Sequence, residues 1–251
     1  MPLPRPNARI RVHLVHEDGD LLVVNKMPGV VSEPGRAHRD DSLLNGLLAH
    51  DGGRLAHALL QLGEARDWGL LHRLDRLTSG LLVVAITANA WDALRADFEA
   101  RRIRKRYLAI VRGELSDGGE IDAPLSERAE QGYRYAALDP RGGKPAVTRY
   151  RVLQRAGRYA LVDCDLITGR LHQIRIHLAS RGAVVAGDSL YDIGGAARPN
   201  AGRAKNPQLH LHAWSLGFTQ PTTGEDRTFV APLPRRFVEF AEAHGLHPST
   251  G

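Results

Sequence analysis

One stretch of this 251-residue chain reads Leu71-His72-Arg73-Leu74-Asp75-Arg76-Leu77-Thr78-Ser79-Gly80, and the apolar run Leu81-Leu82-Val83-Val84-Ala85-Ile86 follows it at once. The apolar run predicts a buried strand, and the polar residues before it predict a turn. A turn of this kind presents a side chain at the end of a rigid element. The side chain at its centre is the carboxylate of Asp75, which is therefore the first candidate for a reactive group.

Two arginines flank this carboxylate in the sequence, Arg73 and Arg76. Nearby positive charge favours the ionised form of an acid. An ionised carboxylate can act as a nucleophile toward carbon, as in retaining glycosidases. The same pattern also fits a structural ion pair that closes a turn, because ion-pair networks are common in folded proteins. The residues alone leave both interpretations open.

The pattern His-Arg-Leu-Asp-Arg-x-Thr-Ser-Gly-Leu-Leu closely resembles the central motif of the RluA-type pseudouridine synthases. Three further segments resemble the family's other motifs in the expected order, at residues 21–29, 105–113 and 168–191. Residues 211–214 and 231–234 look like the family's closing strands. The resemblance covers the chain from about Val15 to Pro234. One departure is Met27 between Lys26 and Pro28, where many relatives read Lys-Pro directly, and it leaves the role of Lys26 open.

The resemblance implies an α+β fold, with a mixed, mainly antiparallel β-sheet catalytic domain and flanking helices and loops. It implies a single pseudouridine synthase catalytic domain over residues 1–251, in which residues 1–10 form a flexible N-terminal tail. The first strand is expected to begin by about residue 10 to 14. We therefore expect no S4 domain, the small RNA-binding module that some relatives carry ahead of the catalytic part.

The implied activity is isomerisation of a uridine in RNA to pseudouridine. The matching motifs assign the catalytic roles to Asp75, Tyr107 and Arg175. Asp75 would attack the sugar carbon or the base, or act on the proton at the sugar's 2-position, and the sequence does not choose among these. Arg175 would pair with Asp75, and Tyr107 would pack against the uracil and help to remove the C5 proton. The residues expected to bind RNA are Arg73, Arg76, His72, Lys105, Arg106 and Arg170.

An isomerisation involves no net oxidation or reduction and adds no group. The resemblance therefore implies no cofactor. The chain contains no P-loop, no dinucleotide-binding fingerprint and no CxxC pair. We also expect no metal site, because His172 and His177 are five residues apart. Two ligands on one helix face would be four apart. His72 is expected to pack or hydrogen-bond within the Asp75 turn.

Composition supports an RNA partner only in part. The net charge of +6 favours a polyanion. Only four of the 34 basic residues are lysines, however, and such an arginine excess also arises from a GC-rich genome.

The resemblance leaves ribosomal RNA and transfer RNA open as substrates, and a monomer would suffice for the reaction. We expect a cytoplasmic protein without a membrane span, since no apolar run approaches ~18 residues. The single cysteine, Cys164, is expected to lie in the core.

Local patterns predict strands at residues 21–25, 81–86, 106–111, 148–153, 159–166 and 209–218. Helices are predicted at residues 42–50, at 89–102 with Asn89 as N-cap, and at 171–180. In the second helix Trp91, Leu94 and Phe98 share one face, which indicates core packing. Two segments, 127–144 and 193–206, are predicted as loops that could contact the substrate.

Two rival functions remain at this level. The chain could be an RNA-binding or RNA-folding factor that catalyses no reaction. In that case an Asp75→Asn variant would keep full activity in any assay of that function. Asp75 could also serve a hydrolase of nucleosides or glycosides, which would need a second acid and would release free uracil.

Overall fold

The computed structural model of the chain describes residues 3–35, 37–50, 54–130, 133–198 and 208–249. These ranges form twelve strands: β1 (Leu14–Glu17), β2 (Leu21–Lys26), β3 (Ser79–Ala85), β4 (Arg104–Gly113), β5 (Gly118–Asp122), β6 (Leu125–Glu130), β7 (Tyr133–Leu138), β8 (Val147–Ala156), β9 (Tyr159–Leu166), β10 (Ala183–Val185), β11 (Leu211–Thr219) and β12 (Asp226–Val230). The same ranges form five α-helices: α1 (Leu43–Ala49), α2 (Arg54–Leu62), α3 (Ala88–Glu99), α4 (Gln173–Ser180) and α5 (Arg235–Ala243). Every strand pair with an assigned register is antiparallel, which confirms the predicted fold class.

The chain divides into two compact units. Unit 1 comprises Met1–Ile103 and Ser215–Ala231, and unit 2 comprises Arg104–Trp214 and Pro232–Gly251. The boundary falls within β11, whose first four residues belong to unit 2 and whose last five belong to unit 1. That the whole chain acts as a single catalytic domain stays a prediction.

In unit 1 the strand order is β1-β2-β3-β11, and β12 pairs with β11. Strands β2 and β3 pair along their whole length, from Leu21 opposite Ala85 to Lys26 opposite Gly80. All seven residues of β3 are buried, as the apolar run predicts. Because the pairing ends at Lys26 and Gly80, Lys26 comes close to the turn that precedes β3.

Helix α3 packs its apolar face on this sheet. Leu94 belongs to the buried core of unit 1, and Trp91 and Phe98 pack against that core, so the predicted role of this face is confirmed. The predicted N-cap was wrong, because Thr87 caps the helix by accepting a hydrogen bond from the Ala90 N–H. The helix also ends earlier than predicted, and Arg101 beyond it has a left-handed backbone with φ +58°.

The other helices of unit 1 are α1 and α2. Ser42 is the N-cap of α1 and forms a capping box with Asn45, so the predicted start of this helix is confirmed. Helix α2 was not predicted, although Leu55, Leu59 and Leu62 recur at helical spacing and are buried.

The segment at residues 5–10 lies against α1. The Asn7 N–H donates to the Asn45 carbonyl at 2.8 Å, and the Asn45 side-chain amide donates to the Arg5 carbonyl at 2.7 Å. The flexibility expected for residues 1–10 stays a prediction.

In unit 2 the strand order is β11-β4-β9-β8-β5, and β10 pairs with β4. The central pair β4–β9 runs from Arg106 opposite Asp165 to Arg112 opposite Tyr159. Cys164 on β9 is fully buried, and burial raises the pKa of its thiol. The prediction that Cys164 is a core residue is confirmed.

The first predicted loop, residues 127–144, was wrong for residues 127–130 and 133–138, whereas residues 139–144 lie outside any strand or helix as predicted. Strands β6 and β7 form a two-stranded antiparallel hairpin there, with Leu125 opposite Leu138 and Glu130 opposite Tyr133. Four consecutive residues of β6, from Glu127 to Glu130, are exposed, so the strand lacks the alternation of apolar residues that identifies a half-buried strand. This explains why the pattern indicated a loop.

The second predicted loop and the predicted closing strand lie in the C-terminal part of the chain. Residues 193–198 of the second predicted loop form no regular element, and residues 199–207 lie outside the described residues. Residues 231–234, predicted as a closing strand, instead connect β12 to α5. Pro232 and Pro234 lack the N–H that a strand ladder needs.

Nowhere in the described ranges does a helix have the length and apolar character that crossing a bilayer requires.

Candidate active site

The residues predicted for the site are divided between the two units. Asp75, His72, Arg73 and Arg76 lie in unit 1, on the loop between the 3₁₀ segment Glu64–Gly69 and β3. The others lie in unit 2: Lys105, Arg106 and Tyr107 on β4, Arg170 on the loop before α4, and Arg175 on α4.

Asp75 begins a tight turn that is held from several sides. Its carbonyl accepts a hydrogen bond from the Thr78 N–H at 3.0 Å, which closes a four-residue turn. The Ser32 hydroxyl bonds both the N–H and the carbonyl of Leu74. The Gly29 N–H donates to the Arg76 carbonyl at 2.7 Å. The backbone on both sides of Asp75 is therefore fixed by residues from the segment that follows β2.

Lys26 is a further anchor of this turn, although the sequence left its role open. The residue is only 1% exposed. Its ammonium donates to three backbone carbonyls, those of Met27 at 3.0 Å, Val30 at 2.8 Å and Arg76 at 3.3 Å. Burial lowers the pKa of Lys26 to about 7, while the charge of Asp75 raises it and that of Arg76 lowers it. One buried amine thus ties the first motif to the turn that carries Asp75.

This pKa predicts how the contribution of Lys26 to stability changes with pH. Below pH 7 Lys26 is protonated in both the folded and the unfolded chain, so the cost of burying its charge is present in full. Between about pH 7 and the ordinary value of 10.5 the unfolded chain binds more protons, and stability therefore rises with pH. Relative to a Lys26→Met variant, the wild type should gain up to about 1.4 kcal/mol of unfolding free energy per pH unit in this window.

Urea unfolding of both proteins at about pH 6.5 and about pH 9.5 measures this difference. A Lys144→Met variant, which changes an exposed lysine, is the matched control. An equal stability difference between wild type and Lys26→Met at both pH values would contradict the prediction.

His72 is a structural member of the turn, as predicted. Its Nε2 accepts a hydrogen bond from the Val83 N–H at 3.1 Å, so the neutral ring carries its proton on Nδ1. Its ring also contacts that of Phe98, with the centroids 5.0 Å apart. Arg73 is exposed and donates to Glu33 Oε1 at 2.8 Å.

In unit 2, Tyr107 is buried on β4 opposite Cys164. The neighbouring Arg106 forms an ion pair with Asp163, and its guanidinium carbon lies 4.9 Å from the centre of the Trp214 ring. These contacts hold Arg106 in place on the sheet. Its side chain nevertheless remains 42% exposed.

Arg170 belongs to the loop before α4, and the Lys105 ammonium lies close to this loop. Burial lowers the pKa of Lys105 to about 8, and the charge of Asp165 partly opposes this. A side chain at Gly169 would have its Cβ 3.8 Å from the Lys105 ammonium, so the loop passes close to this group. Arg170 donates from Nε to the Pro145 carbonyl at 3.1 Å.

The start of α4 is held by a network that the sequence did not predict. The buried Gln173 amide accepts from the Arg170 N–H and the Thr168 hydroxyl, and donates to the Val147 carbonyl and the Thr148 hydroxyl. All four hydrogen bonds that a glutamine can make are thus present. They fix the loop that precedes α4 to β8.

Arg175 is buried on α4 and makes a two-pronged ion pair with Asp188. Nε donates to Asp188 Oδ2 at 2.7 Å, and Nη2 donates to Oδ1 at 2.8 Å, with the side chains 8% and 0% exposed. Arg175 is therefore a buried residue of α4 and not a solvated one. Its pairing with Asp75 stays a prediction.

The Asp188 carboxylate is kept ionised by its partners. Burial, the largest effect, raises its pKa, but hydrogen bonds and charge from Arg175 together with the N–H groups of Leu190 and Tyr191 lower it below the ordinary 3.8. The preceding Gly187 has φ +82°, and a Cβ there would lie 1.6 Å from the Gln208 carbonyl oxygen. Only glycine therefore fits where the chain turns into Asp188. The sequence signal was the Gly-Asp pair in the third motif.

No three His, Cys, Asp or Glu side chains of the described residues come together as metal ligands would. His177, one of the histidines considered for a metal, is fully buried. Its ring bonds the Thr148 hydroxyl at 2.9 Å and the Ala123 carbonyl at 3.0 Å, and burial lowers its pKa.

Residues 20–180 match the family model described as RNA pseudouridylate synthase. A relative named ribosomal large subunit pseudouridine synthase D from Zymomonas mobilis is 39% identical over 240 residues, which cover 94% of this chain and 74% of that protein. The uncharacterized RNA pseudouridine synthase YlyB of Bacillus subtilis is 39% identical over 230 residues, or 91% of this chain and 71% of that protein.

Among solved structures, human RNA pseudouridylate synthase domain containing 4 is similar to this chain with a TM-score of 0.70. The sequence identity is 26%, and the match covers 94% of each chain. The family model includes the Asp75 turn, β4 and α4 up to Ser180.

Proposed function

The chain belongs to the RNA pseudouridylate synthase family, and from this premise we propose that Asp75 is the nucleophile with which it converts a flipped-out uridine of ribosomal RNA. The enzyme isomerises uridine in RNA to pseudouridine. In that reaction the bond from the ribose carbon to N1 breaks, the uracil turns, and a bond from the same carbon to C5 forms. C5 loses a proton and N1 gains one, so the product is an isomer.

The observation that carries the proposal is the support of the Asp75 turn. Ser32, Lys26 and Gly29 fix the backbone on both sides of Asp75, directly before the fully buried β3. A carboxylate that must attack one particular atom needs such a rigid backbone support, since misplacement of reacting groups by about 1 Å can lower the rate ~100-fold. The position of the attack stays open.

We assign the supporting catalytic roles to Tyr107 and Arg175. Tyr107 is a buried aromatic residue on the central β4, where it would pack against the uracil and help to remove the C5 proton. Arg175 would orient the Asp75 carboxylate. Its guanidinium is already fixed by the two bonds to Asp188, so it would hold the carboxylate in one orientation.

RNA binding would use exposed or half-exposed side chains of the same motifs, most of them cations. A uridine stacked in folded RNA must be flipped out, which costs a few kcal/mol. Arg73 is exposed on the Asp75 loop, and its planar guanidinium would fill the gap left by the base. Phosphate contacts would exchange its ion pair with Glu33 for one with RNA. The other residues proposed to bind RNA are Arg76, His72, Lys105, Arg106 and Arg170.

We further propose that the substrate is RNA of the large ribosomal subunit, because several relatives are named for that activity. Transfer RNA is the alternative substrate. We propose that the enzyme acts on this RNA in the cytoplasm and as a monomer. It would need no nucleotide cofactor or metal, because the reaction involves no net oxidation or reduction and transfers no external group.

Tritium release tests the substrate. Large-subunit ribosomal RNA and total transfer RNA are transcribed with C5-tritiated uridine and incubated with the enzyme, and free uracil is followed alongside. We expect tritium release from the ribosomal transcript, with pseudouridine formed and no free uracil. Release from transfer RNA alone would contradict the proposed substrate, and free uracil without pseudouridine would indicate hydrolysis.

A further inference from the structure

Tyr191 is a buried tyrosine, 1% exposed, at the end of the third motif, and no role in the reaction has been assigned to it. Its hydroxyl contacts two separate elements of unit 2. It lies 3.0 Å from His172 Nδ1, directly before α4, and it accepts a hydrogen bond from the Ala136 N–H of β7 at 2.9 Å. The Ala136 carbonyl is 3.2 Å away. One hydroxyl thus joins the start of α4 to the β6–β7 hairpin.

The residue at the α4 end of this link has an unusual backbone. His172 has φ +52° and ψ +21°, the left-handed region that residues other than glycine rarely adopt. It precedes the first residue of α4, and its side chain makes no capping bond to the helix. A left-handed non-glycine residue persists only where its surroundings hold it. The bond to Tyr191 is such a restraint.

The remaining parts of Tyr191 contact the Arg175 ion pair. The guanidinium carbon of Arg175 lies 5.2 Å from the centre of the Tyr191 ring, within the range of a cation–π contact. The Tyr191 N–H donates to Asp188 Oδ1 at 3.2 Å, the same oxygen that accepts from Arg175. The hydroxyl, the ring and the backbone N–H of Tyr191 therefore contact His172, Arg175 and Asp188, respectively.

We propose that Tyr191 is a positioning residue, which couples the β6–β7 hairpin and the left-handed His172 to the guanidinium of Arg175. The inference rests on the catalytic role proposed for Arg175. The apolar contacts of the hairpin with α4, made by Ala136 and Ile176 among others, do not need the hydroxyl. Removing the hydroxyl alone should therefore loosen the geometry while the fold persists.

The test compares Tyr191→Phe with a matched control, Tyr150→Phe. Tyr150 is a buried tyrosine of β8 whose hydroxyl bonds the Ser116 hydroxyl at 2.5 Å. Both variants lose one hydroxyl of a buried tyrosine in unit 2. We expect kcat for pseudouridine formation to fall about tenfold or more in Tyr191→Phe, because small displacements of a catalytic group are costly. In Tyr150→Phe, kcat and KM should stay at wild-type values at a temperature where both variants are fully folded.

A double mutant tests the route through His172. Glycine adopts the left-handed conformation without strain, so His172→Gly removes the need for the restraint. In the His172→Gly background, the added Tyr191→Phe change should lower kcat by less than about threefold. Equal kcat in Tyr191→Phe and Tyr150→Phe would overturn the inference, and an undiminished effect in the His172→Gly background would overturn the route through His172.

Asp75→Asn is assayed in the same series to separate the two proposals. The double variant Arg175→Met/Asp188→Asn, which removes the guanidinium without leaving the Asp188 charge unpaired, is assayed with it. If both are inactive while Tyr191→Phe is as active as its control, only the positioning role fails. If Asp75→Asn stays active, the proposed catalytic mechanism fails instead.

Discussion

Replacement of Asp75 by asparagine is expected to abolish pseudouridine formation, with a loss in kcat of at least about 1,000-fold, the scale seen when an enzyme loses its nucleophile. Asparagine has nearly the same shape as aspartate, and the turn is held by backbone bonds of Leu74, Asp75 and Arg76 that do not involve the carboxylate. The variant should therefore fold normally. Activity is measured as tritium release from C5-tritiated ribosomal RNA.

The matched control is Asp92→Asn, which changes an exposed carboxylate of α3 that pairs with Arg66. It should keep wild-type kcat. RNA affinity of Asp75→Asn, measured by fluorescence anisotropy, should stay within about threefold of wild type, because the change removes no positive charge. Full activity of Asp75→Asn with intact folding would reject the nucleophile and favour an RNA-binding protein without this chemistry.

Replacement of Arg175 by methionine is expected to cost about 3–5 kcal/mol of unfolding free energy, because it leaves the buried Asp188 carboxylate without its partner. The variant should also lose activity. These two losses have different causes, and a second substitution separates them. Asp188→Asn removes the stranded charge while keeping an oxygen that accepts from the Leu190 and Tyr191 N–H groups.

The double variant Arg175→Met/Asp188→Asn should recover much of the stability but none of the activity. Urea unfolding and tritium release measure the two properties. If activity returned together with stability, Arg175 would be a structural residue and its proposed catalytic role would be wrong. If the single variant were as stable as wild type, the ion pair would contribute little to the fold.

The ion pair also predicts the response to acid. The pKa of Asp188 is lower in the folded chain than the ordinary 3.8 of the unfolded one. Its contribution to stability is therefore present above pH 3.8 and is lost as the pH falls toward the lowered value. The stability advantage of wild type over the double variant should shrink in that range and stay constant at higher pH.

Elements with a strong local pattern were predictable from the sequence. The fully apolar β3, the apolar face of α3 with Leu94, and the buried Cys164 on β9 all follow from the spacing of neighbouring residues. The hairpin β6–β7 was not predictable in this way, since its strands are largely exposed and carry no alternating pattern. The N-cap of α3 was misplaced by two residues, because Thr87 and Asn89 are both good capping residues and only the backbone geometry selects one.

By itself the sequence determined the family, the order of its motifs and the candidate residues Asp75, Tyr107 and Arg175, because these depend on residues that are close together along the chain. Only the tertiary structure decided which groups hold them. The Lys26 ammonium meets the Arg76 carbonyl across 50 positions, and the Tyr191 hydroxyl meets Ala136 across 55. The Asp188 carboxylate meets Arg175 from beyond the end of α4. A local pattern carries no information on such pairs, since their distance depends on how the whole chain packs.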